Sequence, residues 1–219
     1  RGWNDVAVIS TITTFTTSLA SYFVGIAEPE ISVLSYQQFL TGQNIDVELR
    51  EIQNSGARVI IALIFGGWLE FIAEADTFGL VGESYVWFVP PTISGFPMLE
   101  PSPLTRGAIG AIYFVPENTP EIDMYLELWR SADPEVYPTA GPGTTPSVLT
   151  YRAADMMITA AKAIDNIQRS GQLENYISAE TWSQTIRNIS FDGISGHISF
   201  YPNGDRIGAY ALQYYNADS

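Results

Sequence analysis

The sequence contains no cysteine, a single histidine (His197) and a single lysine (Lys162) in 219 residues. The first absence removes disulfide frameworks, thiolate nucleophiles and cysteine-bound metal. The second removes multi-histidine metal sites, and any serine triad would have to recruit His197. Cationic side chains are scarce altogether. Ten Lys and Arg stand against 24 Asp and Glu, for a formal net charge of −14, so the surface potential repels nucleic acid and anionic lipid headgroups. The longest apolar stretch, Ala57 to Phe71, is broken by Gly66, Gly67 and Glu70, well short of the ~20 residues of a membrane span. There is no GxSxG elbow, P-loop or GxGxxG fingerprint, which leaves an enzyme without its parts and predicts no catalytic residue, cofactor or metal.

What is present describes a folded chain: 46% hydrophobic and 13% aromatic residues with only 16% charged, within the range of globular proteins. The acids are dispersed, as on a solubilising surface. The sequence starts at Arg1 without an initiator Met or signal peptide, so it reads as a mature product or as part of a longer chain. Short apolar runs then alternate with helical patterns. DVAVIS at 5–10 reads as a strand, followed by a helix capped at Thr13 or Thr14 with Phe15, Leu19, Phe23 and Ile26 on its inner face. Residues 31–36 form a second strand, and Asn44 caps a helix carrying Ile45, Leu49 and Ile52. The β-branched run at 57–65 predicts a central strand buried on both faces, followed by a helix from Gly66 or Gly67 to Phe78 with Gly79 as its stop.

Strands at 85–89 and 108–115 are separated by a Pro-rich loop at 90–103, too long for a hairpin, and Thr119-Pro120-Glu121 opens another helix. This alternation implies a mostly parallel sheet flanked by helices. The Pro- and Gly-rich segment 131–147 suggests a crossing between two lobes. Beyond it lie a long helix at 148–167, with Ala153, Met157, Ala160, Ala161 and Ile164 as a small-residue packing face, a helix capped by Ser178, and a closing hairpin at Asn203-Gly204. Two helices and a hairpin are too little to cover their own apolar faces, so something should complete that lobe.

Candidate functional residues gather at strand ends. Open α/β sheets place ligands beyond the carboxyl ends of their strands, and Thr11, Thr13 and Phe15 follow the first strand; capping is an equal reading of the threonines. Gly66 and Gly67 could offer backbone N–H groups to a carboxylate or phosphate, or form a plain tight turn. Phe65 with Pro90, Pro91 and Thr92 would supply an apolar wall. Asn188-Ile189-Ser190 is a glycan acceptor triplet if the chain is secreted. His197, without a second histidine, reads as structural or surface.

Four stretches, ISTITTFTTSL (9–19), ARVIIALIF (57–65), ESYVWFVPP (83–91) and FDGISGHISFYPNGDR (191–206), resemble the ligand-binding region of the bilobed type I periplasmic-binding-protein superfamily, the ANF-receptor-like domains, and most closely the metabotropic GABA receptor branch. The resemblance implies a non-enzymatic ligand-binding region on a cell-surface receptor, extracellular, closing its cleft on a small amino-acid-like ligand. It implies a homo- or hetero-oligomer attached to the membrane through segments outside this sequence. Residues 1–135 would form lobe two and 136–219 the crossing segment and C-terminal part of lobe one, whose first half lies outside the sequence. The chain differs from the GABA branch where Gly66 replaces an aromatic and prolines replace a tryptophan after YVWF. The acid that would hold the amine falls near Pro146. The other expectation is a structural or assembly protein that keeps this fold without its pocket.

Overall fold

The computed structural model describes residues 3–90, 102–171 and 177–215. Alternation along the strands generates two hydrophobic layers. In β1 (Asp5–Thr11) and β3 (Val59–Leu63), Ala7, Ile9, Ile60 and Ala62 face one side, and Val6, Val8, Val59 and Leu63 the other. Both strands are buried on both faces, as the unbroken β-branched run at 57–65 predicts. The first layer is covered by α2 (Asp46–Ser55) and α3 (Trp68–Thr77), through Leu49, Ile52, Phe71 and Ile72. The second is covered by α1 (Thr14–Ala27), through Ala20 and Phe23.

The strands β2 (Ser32–Phe39), β1, β3, β4 (Val86–Val89) and β5 (Ile109–Tyr113) lie side by side in that order. They are parallel throughout. Residues 103–105 add a single 3₁₀ turn. The last strand, β8 (Tyr210–Tyr214), takes the edge beside β5. Hydrogen bonds from Tyr215 to Ala108 and from Phe114 to Ala209 show that it runs against its neighbour. The chain thus has the mostly parallel, helix-flanked sheet of the periplasmic-binding-protein fold.

Contacts divide the protein into two units, residues 1–112 with 211–219, and residues 113–210. The Pro- and Gly-rich segment is tied to α4 (Pro120–Ser131): Gly141 N donates to Trp129 O at 2.9 Å and Trp129 Nε1 to Thr144 Oγ1 at 2.8 Å.

The second unit is built from α4, α5 (Val148–Arg169), α6 (Ala179–Arg187), β6 (Phe191–Gly193) and β7 (Gly196–Ile198). Thr119, Ser147 and Ser178 cap the three helices through their hydroxyls, Thr119 and Ser178 as the sequence predicts. The inner line of α5 is Asp155, Thr159, Ala163 and Ile167. This corrects the expected packing face: Met157 and Ile164 are exposed. The reason is Asp155, a charged residue that sits 1% exposed because its carboxylate accepts from Ile194 N (2.7 Å), Ser195 N (2.7 Å) and Ser195 Oγ (2.5 Å). Arg206 Nη1 donates to the same Ser195 hydroxyl at 2.8 Å. Burial, reinforced by Arg152, holds the Arg206 guanidinium below its ordinary pKa.

Gly193 makes this arrangement possible, because a Cβ there would lie 2.5 Å from Asp155 Oδ1. Gly193→Ala is therefore expected to displace the carboxylate and cost about 2–3 kcal/mol, readable as a lower midpoint in chemical denaturation with unchanged helical circular dichroism at low denaturant.

The closing segment holds the expected short hairpin about Asn203-Gly204, where Phe200 bridges Arg206 antiparallel and Tyr201 N donates to Asp205 O at 2.8 Å, and a second hairpin ahead of it. β6 and β7 pair antiparallel across the turn at Ile194-Ser195. Asn203-Gly204 lies in a separate turn in which Gly204 N donates to Tyr201 O at 2.8 Å. Pro202 and Asn203 hold its central positions, since proline's fixed φ suits the first of them. Gly204, at φ 95°, takes the left-handed position that follows.

Candidate functional site

Because β1, β2 and β3 are parallel, their carboxyl ends share one edge of the first unit's sheet, where three strand-to-helix connections meet. At that edge the chain forms a cavity of about 280 Å³. Its apolar floor is Phe39, Ile64 and Phe71, with the Phe39 and Phe71 rings stacked at 5.6 Å and 11°. Its rim carries Thr41 and Gln43 from the β2–α2 connection, the backbone of Gly66 and Gly67, and the carboxylates of Glu70 and Glu74 from one face of α3.

The local structure explains each placement. Gly66 (φ 89°) and Gly67 (φ 67°) turn the chain sharply out of β3, in conformations that favour glycine. Gly67 is the N-cap of α3 and offers no side chain to it. The helix supplies its own anion instead: Glu70 stands in its first turn, with Oε2 3.9 Å from the point a Gly67 Cβ would occupy. A carboxylate there is favoured by the helix dipole. With Glu74 one turn on, the rim is negative and suits a cationic group above an aromatic floor.

The remaining sequence-predicted residues take distinct places. Thr13 caps α1: its Oγ1 accepts from Thr16 N at 3.1 Å, and Thr16 Oγ1 accepts from Thr13 N at 3.1 Å. Thr16 Oγ1 also donates to Thr11 O. Thr11 is buried at the end of β1, and its own Oγ1 has no hydrogen-bond partner among the described residues. Phe15, 61% exposed, meets half-buried Phe65 edge to face at 5.2 Å, a short aromatic ridge on the same edge. Pro91 and Thr92 lie outside the described residues. Asn188 is exposed directly after α6. Phe39, Gln43, Glu70, Phe71 and Glu74 were not singled out from sequence. The only available signal for Glu70 was its position in the first turn after a glycine pair.

His197 contacts Ser190 Oγ through Nε2 at 3.1 Å and Asp192 Oδ1 through Nδ1 at 2.7 Å. This has the order of an acyl-transfer triad, but the Asp192 side chain is 81% exposed, whereas such a relay holds its acid buried. Here the trio braces the β6–β7 hairpin from outside. Among the described residues no His, Asp or Glu group has metal-binding arrangement, and no helix is long and apolar enough to cross a membrane.

No curated protein matches the sequence. Among solved structures, an ABC transporter substrate-binding protein from Desulfitobacterium hafniense, in complex with Leu, shares the fold with a TM-score of 0.63 at 19% identity. The superposition covers 97% of this chain and 58% of that one, so the chain spans somewhat over half of its neighbour's length. The model of the receptor family ligand binding region, the ANF receptor family, matches residues 1–218. On that match over almost the whole chain, the protein belongs to the receptor family ligand-binding regions.

Proposed function

We propose that this chain is part of the extracellular region of a cell-surface receptor and binds a small amine-bearing, amino-acid-like ligand at the carboxyl edge of its first unit's sheet. The carrying observation is the cavity in which Glu70 and Glu74 face a floor of stacked Phe39 and Phe71. In the GABA receptor branch that the sequence resembles, the amine-holding acid falls near Pro146, an uncharged position here. Glu70 provides a carboxylate from another place, which favours an amine ligand whose contacts differ from those of that branch. Closure of the family's bilobed architecture over the ligand would then transmit binding to a partner subunit or membrane segment. Asn188, exposed in its acceptor triplet, suits glycosylation on such a surface.

The test is thermal unfolding against a panel of standard and ω-amino acids. A binder present at a hundred times its Kd stabilises by about 2.7 kcal/mol. Glu70→Gln is expected to remove the shift while leaving the unliganded midpoint within about 0.5 kcal/mol, since Glu70 is exposed.

The second reading, an assembly protein without ligand, draws on α5, whose Met156, Met157 and Ile164 are exposed. It predicts no shift with any member of the panel.

A further inference from the structure

The first unit's sheet carries a second cavity at its other end. β3, β4 and β5 run parallel, so their amino ends share one edge, and β8, running against β5, brings its carboxyl end to the same place. There Gly107 N donates to Tyr215 O at 2.9 Å and Tyr215 N to Ala108 O at 3.0 Å. The cavity measures about 430 Å³, and Trp3, Glu83, Tyr85, Arg106 and Tyr214 are among its lining residues, all of the first unit. Its volume falls within the ~300–1,000 Å³ of small-molecule sites.

The rings are set by their neighbours. Trp3 stands edge-on to Phe88 at 6.3 Å, and the Arg58 guanidinium lies 4.7 Å from the centre of the Tyr85 ring. The Tyr214 hydroxyl reaches over Gly107, 3.9 Å from the point a Cβ would occupy. The polar ends have no such support: the Glu83 carboxylate, the Tyr85 and Tyr214 hydroxyls and the Arg106 guanidinium make no hydrogen bond or ion pair with a described residue. Other arginines are engaged. Arg50, Arg58 and Arg152 lie over aromatic rings, Arg169 pairs with Asp165, and Arg187 and Arg206 donate to oxygens. In a chain with 24 acids against 10 cations, an arginine that faces a cavity without a carboxylate is a group for an incoming anion to meet.

We propose that this cavity binds a sugar acid, a pyranose ring carrying one carboxylate. The inference is independent of the amine site at the opposite edge. The Arg106 fork meets the carboxylate, the Trp3 and Tyr214 rings cover the apolar C–H surface of the sugar, and Glu83 and the two phenols serve its hydroxyls. Simpler ligands leave part of the cavity unmatched. An apolar molecule desolvates Glu83 and Arg106 without pairing them, a neutral sugar leaves Arg106 unpaired, and a small carboxylate leaves the rings and Glu83 unused.

The probes are D-glucuronate and D-galacturonate, with D-glucose and acetate as the two halves of the ligand, titrated onto the chain and followed by saturation-transfer NMR. At least one uronate is expected to bind with a Kd below about 1 mM, and glucose and acetate each at least tenfold more weakly. Arg106→Gln is expected to weaken the uronate at least tenfold and leave glucose unchanged, without disturbing the fold, since the side chain is exposed and holds no partner. Tyr214→Ala, at a side chain 65% exposed, is expected to weaken uronate and glucose alike. Glu70→Gln should leave uronate binding as it is, so this site and the amine site stand or fail separately. A Kd above about 1 mM for both uronates, uronate binding unchanged by Arg106→Gln, or acetate binding as tightly as the uronates overturns the proposal.

Discussion

Asp155→Ala is expected to lower the stability of the second unit by about 3 kcal/mol, or roughly 15 °C in its unfolding midpoint. The side chain accepts three hydrogen bonds, two from the backbone of Ile194 and Ser195 and one from the Ser195 hydroxyl. Alanine leaves both amides buried without an acceptor, and burying an unpaired polar group is what makes such losses large. It also leaves Arg206, held at the Ser195 hydroxyl and at the carbonyls of Ser195 and His197, without the carboxylate that offsets its charge. Asp155→Asn separates the contributions: the amide retains one acceptor oxygen but turns a donor toward the other N–H, so it should recover less than half of the loss. The check is calorimetry of both variants beside the unmodified chain.

Trp87→Ala is expected to cost the first unit about 4 kcal/mol. Trp87 is buried in β4, edge-on to Trp68 at 6.0 Å and to Phe71 at 5.7 Å. Its Nε1 donates to Leu80 O at 2.9 Å. Truncation removes a large ring from a cluster that reaches Phe71 and Phe39 beneath the candidate site, and orphans the Leu80 carbonyl. Trp87→Phe keeps most of the ring contacts and loses the hydrogen bond, so a loss of about 1–2 kcal/mol is expected. Urea titrations of the two variants, followed by tryptophan fluorescence, give the comparison. The alanine variant should also weaken the ligand-induced shift, because the Phe39–Phe71 floor loses its support.

What the sequence made legible was local. The Thr119-Pro120 start of α4, the Ser178 cap, and the Gly79 stop of α3, at φ 67°, each depend on residues within a turn of one another. The buried run of β3 likewise announces its burial by composition alone. For α2 the cap fell one residue late, at Ile45, yet Asn44 Oδ1 still accepts from Asp46 N at 3.1 Å.

The misreadings share one cause. The inner faces of α1 and α5 are carried by Thr16 and Asp155, polar residues that a hydrophobic pattern places outside. Their partners are supplied by a turn geometry in one case and by a loop some 40 residues away in the other. The site was legible as an edge but not as a cavity. Gly66 and Gly67 are conspicuous in sequence, whereas Phe39, Glu70 and Phe71 reach the same cavity only through the pairing of parallel strands.

The most direct test of the ligand-binding account is amide hydrogen exchange of the chain with and without each saturating member of the amino-acid panel. The account predicts that an amine-bearing ligand slows exchange at residues 40–45 and 64–71, and that Glu70→Gln removes that protection. Protection confined to other segments, or none with any member, would contradict it.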